Sequence, residues 1–357
     1  MAMRLSIVQI GKGTIGGRLI DQVAACRAAL RERIGVDLSY AGIAGRSAAA
    51  FEMGGLDLGR WREVVEAGRG ADGRRLLEEV RGLADPKVLI DATAGDGMAG
   101  LYETAFAAGF HVVSCNKKPL AGPLDDYRRV QQACRGARRR WLYEVTVGAG
   151  LPTLRILRDL VDTGDRIHSI EGCFSGTLNY LCAGLDRGGR LSEVLARARG
   201  LGYTEPDPRE DLSGRDVARK ALILAREAGL EIEPEQVALY PFFPTAGGDQ
   251  IGSFPSDTGA RDEEMARRFR EASGRGARLR YVATVDGGCG AALREVPADG
   301  PLGRLRGPEN VFVFRTERYA EHPLIVTGPG AGPAVAAAGV FGDLLELARG
   351  VVAGGGE

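Results

Sequence analysis

The N-terminus constrains the fold most, because a short apolar run leads directly into closely spaced glycines. Residues 4–10, RLSIVQI, have the composition of a buried strand. Glycines at 11, 13 and 16 follow in the pattern GKGTIG, and the segment to about Leu30 is amphipathic. Strand, glycine turn and helix are the context that a dinucleotide-binding motif requires. The glycines allow a tight turn, close approach of a pyrophosphate and close packing of helix on strand.

Alternating elements continue for about 145 residues. The spacing predicts further strands at 37–44, 88–93, 111–115 and 140–147. It predicts helices at 73–83, 98–109 and 123–135. We therefore expect an α/β fold that begins with a Rossmann-type, doubly wound parallel sheet.

Two features of this region indicate which dinucleotide the chain binds and where it lies. After the second strand the chain reads Gly45-Arg46-Ser47, where an NAD site would place a carboxylate, and Arg46 suits the 2′-phosphate of NADP. NADP is thus the preferred cofactor and NAD remains possible; the alternative is that Arg46 is a solvated loop residue. Thr93 ends the third predicted strand and Lys117 follows the fourth, at the edge where ligands bind in such sheets.

The regular alternation of strands and helices ends at residues 144–152, EVTVGAGLP. Strands are then expected at 166–174, 236–242, 278–286, 291–296 and 309–315, with helices at 191–200 and 214–229, and a loop at 247–260. This mixture favours an α+β second domain for catalysis and dimerisation. The predicted domains are 1–147, binding NAD(P), and 148–320, with a strand and helix in 321–357 returning to the first.

The stretch GYTEPDPREDLSGRDVARK, residues 202–220, holds five carboxylates followed by Lys220. Its two prolines predict an extended loop, and Ser213 with Asp216 three residues later has the spacing of a capping box. Asp216 and Lys220 are four residues apart, so they share a helix face beside an apolar arc. The alternative is an exposed ion pair, which stabilises a helix by only a few tenths of a kcal/mol.

The amino-acid composition argues against nucleic-acid-binding, membrane-spanning, disulfide-bonded and zinc-dependent proteins. Forty-seven basic and 47 acidic residues give a net charge of zero, which argues against nucleic acid and anionic membrane as partners. No apolar run approaches the roughly 20 residues that span a bilayer. The six cysteines are scattered, without a CxxC pair, which indicates free thiols in a reducing cytoplasm. The three histidines lack metal-ligand spacing, so zinc chemistry is not expected.

Taken together, the segments GKGTIG, CNKKP, YEVTVGAGLP, FSGTLNY, GYTEPDPREDLSGRDVARK and GPGAG resemble the homoserine dehydrogenase family, in its short monofunctional form. The resemblance runs nearly end to end. It implies NAD(P)-dependent interconversion of L-aspartate 4-semialdehyde and L-homoserine, toward threonine, isoleucine and methionine. Two other classes stay open: another NAD(P)-linked amino-acid aldehyde or alcohol oxidoreductase, and a non-catalytic nucleotide-binding paralogue.

The resemblance also implies roles for individual residues. Catalytic residues would be Lys220, Asp216 and Lys117, and substrate-binding residues Glu205, Asp211, Tyr203 and Thr177. Cofactor-binding residues would be Gly11, Gly13, Thr14, Ile15, Gly16, Arg46, Thr93, Lys117 and Gly332. A monovalent cation, usually sodium, would be bound at Glu144, Val147, Ala149 and Leu151.

Further expectations concern assembly and regulation. The family suggests a homodimer or tetramer through the second domain. Ala336 stands where the family commonly has threonine, so one hydroxyl near the cofactor is missing. No ACT domain is expected after residue 350 and no aspartokinase before Met1, so feedback by threonine through such domains is not expected.

Overall fold

The computed structural model describes residues 2–68, 73–242 and 258–354. It divides into two compact units, one formed by Met1–Gly150 with Gly332–Glu357 and the other by Leu151–Ala331. Most of the predicted loop at 247–260 lies outside the described residues, and its last three residues open a helix instead. None of the helices in the described part of the chain has both the length and the apolarity needed to cross a membrane.

The first unit is built on a six-stranded sheet. Its elements are β1 Met3–Ile10, α1 Thr14–Ile34, β2 Val36–Ala44, β3 Ala49–Phe51, α2 Trp61–Glu66, α3 Gly73–Glu79, β4 Lys87–Asp91, α4 Met98–Ala107, β5 His111–Ser114, α5 Lys118–Ala121, α6 Leu124–Gly136 and β6 Trp141–Leu142. The strand order is β3-β2-β1-β4-β5-β6. All neighbours are parallel except β3, which pairs antiparallel with β2. The predicted Rossmann-type sheet is confirmed, with β3 as an unforeseen edge strand.

The predicted strand at 140–147 was too long. β6 ends at Leu142, and a 3-10 turn occupies Glu144–Thr146. The Thr146 hydroxyl donates a hydrogen bond to the carbonyl oxygen of Tyr143 at 2.7 Å, and the Thr146 N–H donates to the same oxygen at 3.0 Å. A threonine that closes a local turn in this way competes with strand pairing.

The second unit contains a separate six-stranded sheet. Its elements are α7 Thr153–Asp162, β7 Ile167–Cys173, α8 Gly176–Asp186, α9 Leu191–Gly200, α10 Pro208–Leu212, α11 Arg215–Glu227, β8 Ala238–Leu239, α12 Thr258–Gly274, β9 Ala277–Val285, β10 Cys289–Pro297, β11 Glu309–Thr316 and β12 Leu324–Pro329. The order is β12-β11-β7-β9-β10-β8, antiparallel except for the pair β8–β10. This is the expected α+β arrangement. The strand predicted at 236–242 shrinks to two residues, because Pro234 opens a 3-10 turn just before it.

The last helix, α13 Pro333–Gly354, packs on α1 within the first unit. Gln22 donates a side-chain hydrogen bond to the carbonyl oxygen of Ala334 at 3.0 Å. Gly339 is close to residue 149, since a Cβ on it would lie 2.5 Å from the Ala149 oxygen. β12 instead pairs with β11 in the second unit. Of the segment 321–357, therefore, the helix joins the first unit and the strand does not.

Candidate active site

The glycine loop between β1 and α1 is tied to the ends of two neighbouring strands. The Gly11 N–H donates to the Ala44 oxygen at 2.8 Å, at the end of β2. Gly11 has φ +96°, and a Cβ there would lie 2.5 Å from the Ala92 oxygen. A Cβ on Gly16 would lie 2.1 Å from the Gly11 oxygen. These positions therefore exclude side chains, as the predicted motif requires.

Gly13 differs from the other two loop glycines, because no heavy atom of the described residues lies within 4 Å of where its Cβ would be. It immediately precedes Thr14 and Ile15 in the first turn of α1, so the loop has open space at a helix N-terminus. An anion such as a pyrophosphate fits such a position.

Two buried polar residues that the sequence reasoning missed support the loop from beneath. The side-chain amide of Gln9 donates to the Gly11 oxygen at 2.8 Å and the Gly16 oxygen at 3.1 Å. The Tyr40 hydroxyl donates to Gln9 Oε1 at 2.9 Å. Burial raises the pKa of Tyr40, which keeps this donor protonated. A lone glutamine in the apolar run of β1 was the available signal.

Asp91, at the end of β4, organises the loop that carries Thr93. It accepts hydrogen bonds from the Thr93 N–H at 2.9 Å and the Thr93 hydroxyl at 2.7 Å, both through Oδ1. Its Oδ2 accepts from the Tyr102 hydroxyl at 2.5 Å. Asp91 is completely buried, and burial raises its pKa while these donors oppose the rise. The sequence reasoning missed Asp91, although a carboxylate closing the run VLID was visible.

The same network reaches the loop after β5. The Tyr102 hydroxyl lies 2.7 Å from Ser114 Oγ, which accepts from the Asn116 N–H at 3.0 Å. The Asn116 side chain donates to the Gly95 oxygen at 2.8 Å. Lys117 follows directly and is the N-cap residue of α5. Buried hydrogen bonds therefore fix both loops that carry the predicted cofactor residues Thr93 and Lys117.

Three further residues of the first unit were singled out from the sequence: Arg46, Gly332 and Ala336. Arg46 is exposed after β2, in a turn closed by a 2.8 Å hydrogen bond from the Gly45 N–H to the Ala48 oxygen. Gly332 has φ +114° just before α13, a conformation that favours glycine. Ala336 is packed in the apolar core beside α1, so its methyl group contributes to packing.

Lys220, in the second unit, lies on α11 as predicted. Its Nζ donates to the Phe174 oxygen at 2.9 Å and lies 2.8 Å from Asp216 Oδ2. The lysine side chain is 13% exposed and the aspartate 50%. The ammonium is therefore held between an interior carbonyl and a carboxylate that faces water.

The predicted capping box at Ser213 was wrong. The N-cap of α11 is Gly214, with φ +72° and no side-chain bond to the helix. A Cβ on Gly214 would lie 1.8 Å from the Tyr281 hydroxyl, so the packed tyrosine requires glycine there. Ser213 donates to the Glu210 oxygen at 2.6 Å and accepts from the Arg215 N–H at 3.2 Å.

The acidic loop is also less extended than predicted. Pro208 begins the short helix α10, and Asp207 caps it by accepting from the Arg209 N–H at 3.0 Å. Proline suits the first position of a helix because its missing N–H is not needed there. The prolines therefore divide the segment into a loop before residue 208 and a helical turn after it.

The four residues predicted to bind substrate are joined by hydrogen bonds. The Thr177 hydroxyl lies 2.5 Å from the Tyr203 oxygen and 2.8 Å from Asp211 Oδ1. Asp211 Oδ2 accepts from the Glu205 N–H at 2.8 Å. Burial raises the pKa of Asp211, and the charges of Asp216 and Glu210 raise it further. The side chains of Tyr203 and Glu205 are exposed.

The residues predicted to bind a cation lie around the turn that ends the first unit. Glu144 is buried, and its N–H donates to Asp343 Oδ2 at 3.0 Å. Ala149 has φ +55°, and with Val147 it is buried, while Leu151 begins the second unit. Across the residues that the structure describes, no three His, Cys, Asp or Glu side chains cluster as metal ligands.

Comparison with known proteins places these features in a family. The family model for homoserine dehydrogenase matches residues 152–345, and the model for the homoserine dehydrogenase NAD-binding domain matches residues 11–144. Homoserine dehydrogenase from Emericella nidulans is 38% identical over 275 residues, covering 73% of this chain and 75% of its own. The chain belongs to the homoserine dehydrogenase family.

Longer relatives in the homoserine dehydrogenase family include a bifunctional aspartokinase/homoserine dehydrogenase from Arabidopsis thaliana, 42% identical over 96% of this chain. The chain spans about two fifths of that protein, 39% of its length. A solved hyperthermophilic archaeal homoserine dehydrogenase in complex with NADPH is similar at a TM-score of 0.75 and 25% identity. The likeness covers 96% of this chain and 97% of the archaeal one.

Proposed function

We propose that this chain catalyses the reversible, NAD(P)H-dependent reduction of L-aspartate 4-semialdehyde to L-homoserine, in the biosynthesis of threonine, isoleucine and methionine. The observation that carries the proposal is the setting of Lys220, held by Asp216 at 2.8 Å and the Phe174 oxygen at 2.9 Å. It lies within the part of the chain that matches the homoserine dehydrogenase model.

The chemistry needs a proton donor, because reducing an aldehyde leaves negative charge on its oxygen. When bound, the nicotinamide supplies the hydride. The Lys220 ammonium has three N–H donors, and two are directed at Phe174 and Asp216 in the described part of the chain. The third can donate to the substrate oxygen, and Asp216 holds the ammonium in position from 2.8 Å away. In the reverse direction the neutral amine accepts the proton.

The loop after β5 supports a second catalytic role, for Lys117. The hydrogen bonds of Ser114 and Asn116 fix the backbone from which its side chain projects. A second ammonium stabilises negative charge on the reacting oxygen or relays a proton to it. Lys117 also serves the cofactor in this proposal, together with Thr93.

The exposed carboxylates of the second unit support binding of an amino-acid substrate. Glu205 binds the α-ammonium group, because a cationic group needs an anionic partner when it leaves water. Asp211 fixes the backbone of Glu205 at 2.8 Å. Thr177 joins Asp211 to Tyr203 and so shapes the remainder of the substrate site.

The glycine loop and the end of β2 support NADP as the preferred cofactor, with NAD as a possible second one. Open space at Gly13 suits the pyrophosphate, with Gly11, Thr14, Ile15 and Gly16 around it. Arg46 is exposed where an NAD site would place a carboxylate. Gly332 completes the proposed cofactor set.

Three further features belong to the proposal. A monovalent cation such as sodium is bound at Glu144, Val147, Ala149 and Leu151, largely through backbone carbonyl oxygens, which suit hard cations. The protein forms a homodimer or tetramer through its second unit, where β12 is an edge strand and Ile325 is 44% exposed. It works in the cytoplasm, whose reducing conditions suit six free cysteines.

A substrate panel tests the activity. The purified chain is supplied with NADPH and L-aspartate 4-semialdehyde, and with other amino-acid aldehydes in parallel, while NADPH oxidation is followed by absorbance. We expect the highest kcat/KM with L-aspartate 4-semialdehyde. A clear preference for another aldehyde would indicate a different oxidoreductase, and NADPH binding without any turnover would indicate a non-catalytic paralogue.

A further inference from the structure

Lys12, in the glycine loop, lies across the end of β2. Three of its side-chain carbons, Cγ, Cδ and Cε, are 3.0, 3.0 and 2.7 Å from where a Cβ on Gly45 would be. The hydrogen bond from the Gly11 N–H to the Ala44 oxygen holds the two segments together at 2.8 Å. Glycine at position 45 thus leaves room for the lysine stem, which lies against the first residue of the turn 45–48.

The two cationic side chains at this turn are those of Lys12 and Arg46. In the described part of the chain, neither Lys12 nor Arg46 forms an ion pair or a side-chain hydrogen bond, and Arg46 and Ser47 are exposed. By contrast, Lys118 pairs with Asp96 at 2.6 Å. Two cations without a carboxylate partner, on segments joined by the hydrogen bond between Gly11 and Ala44, form a site for an anion.

We propose that Lys12 and Arg46 together bind the 2′-phosphate of NADP(H), with Lys12 as a specificity residue from the glycine loop. This inference rests on the proposed function and names the residues that select its cofactor. Arg46 can engage a phosphate through two parallel N–H bonds, and the Lys12 ammonium adds a point charge. NADH has a hydroxyl at this position and gains neither interaction.

The test is direct binding of NADPH and of NADH, by calorimetry, to wild type, Lys12→Met and Arg46→Met. Methionine keeps an unbranched stem over Gly45 and removes the charge. Lys118→Met is the matched control, since it removes a lysine from another loop of the same unit. We expect each of the first two variants to bind NADPH about tenfold more weakly, as loss of a charge-assisted hydrogen bond predicts. NADH affinity stays within about twofold, and the control changes neither affinity.

A second variant, Gly45→Asp, tests the site in the opposite direction. Its side chain displaces the flexible Lys12 stem and places a carboxylate where an NAD site has one. We expect it to bind NADH more tightly than NADPH, with thermal unfolding confirming that it is folded.

The outcomes separate the inference from the proposed function. Equal weakening of NADPH and NADH by Lys12→Met, or no change in either, would overturn the role of Lys12 and leave the proposed activity standing. If wild type bound neither dinucleotide, the proposed function itself would be contradicted.

Discussion

The two groups of site residues differ in how they are held. In the first unit, Asp91 is completely buried and linked to Tyr102, Ser114 and Asn116 by interior hydrogen bonds. In the second unit, Asp216 is 50% exposed and Glu205 is exposed as well. We call the buried group in the first unit the strand-end network, and the exposed carboxylates Glu205 and Asp216 in the second unit the acidic cluster. The network is held by hydrogen bonds in the interior, whereas the carboxylates of the cluster are exposed to water.

Because of this difference, mutations in the two groups are expected to affect different quantities, stability in one and kinetics in the other. A buried network contributes to stability, because removing one member leaves its partners unsatisfied. An exposed cluster contributes little to stability, so its changes are expected in the kinetics instead. The experiments below test that division, beginning with the largest expected effect.

Lys220→Met should reduce kcat for L-aspartate 4-semialdehyde about 1,000-fold, the middle of the range for loss of a general acid. NADPH affinity should change little. Steady-state kinetics and calorimetry measure these quantities. The control is Arg219→Met, an exposed neighbour on the same helix. More than a tenth of the wild-type rate in the Lys220 variant would remove the assigned role.

Asp91→Ala should lower the free energy of unfolding by about 3 kcal/mol, because it leaves the donors of Thr93 and Tyr102 without an acceptor in the interior. Urea denaturation measures this loss. Asp96→Ala removes an exposed carboxylate from the same loop and should cost less than about 1 kcal/mol. Similar losses in both variants would mean that the strand-end network does not stabilise the unit.

The first unit should also show a pH dependence that originates from His111. Burial, with Arg139 and Arg140, lowers the pKa of His111 to about 4. The unfolded chain takes up this proton near pH 6.5, so the stabilisation is complete above pH 6.5 and is lost as pH falls toward 4. We expect a loss of about 3 kcal/mol over that window.

The variant that isolates this effect is His111→Gln, which retains an acceptor for the Arg140 N–H. Urea denaturation of both proteins at several pH values gives the difference, since all other groups titrate alike. Parallel stability curves for wild type and variant would show that His111 is not responsible.

Thr177→Val should raise KM for the aldehyde about tenfold and change kcat by less, because the hydroxyl positions Tyr203 and Asp211 rather than touching the reacting atoms. Thr177→Ser retains the hydroxyl and should restore KM. If valine and serine gave the same KM, the hydrogen bonds of the Thr177 hydroxyl would have no part in substrate binding.

Local patterns predicted most of the architecture, because strands and helices of the first unit each have a distinct apolar period. The errors arose where distant residues decide the local structure. Ser213 has a helical backbone at the end of α10, so the cap of α11 falls on Gly214, where the packed hydroxyl of the distant Tyr281 requires glycine. The antiparallel edge strand β3, only three residues long, is too short for a periodic signal.

The candidate site shows the same limit. Asp216 and Lys220 could be paired from their spacing on one helix, and the structure places them together. The strand-end network could not be predicted, because Asp91, Tyr102 and Ser114 come from three separate elements. Likewise, the contact of Lys12 with Gly45 depends on two segments that only the sheet brings together.

The most direct test of the account is the reverse reaction, L-homoserine-dependent reduction of NADP+ by the purified chain. The account predicts steady formation of NADPH with L-homoserine, and none with L-2-aminobutyrate, which has the same carbon skeleton without the hydroxyl. Absence of NADPH formation from L-homoserine, in a preparation shown to bind NADP+, would contradict it.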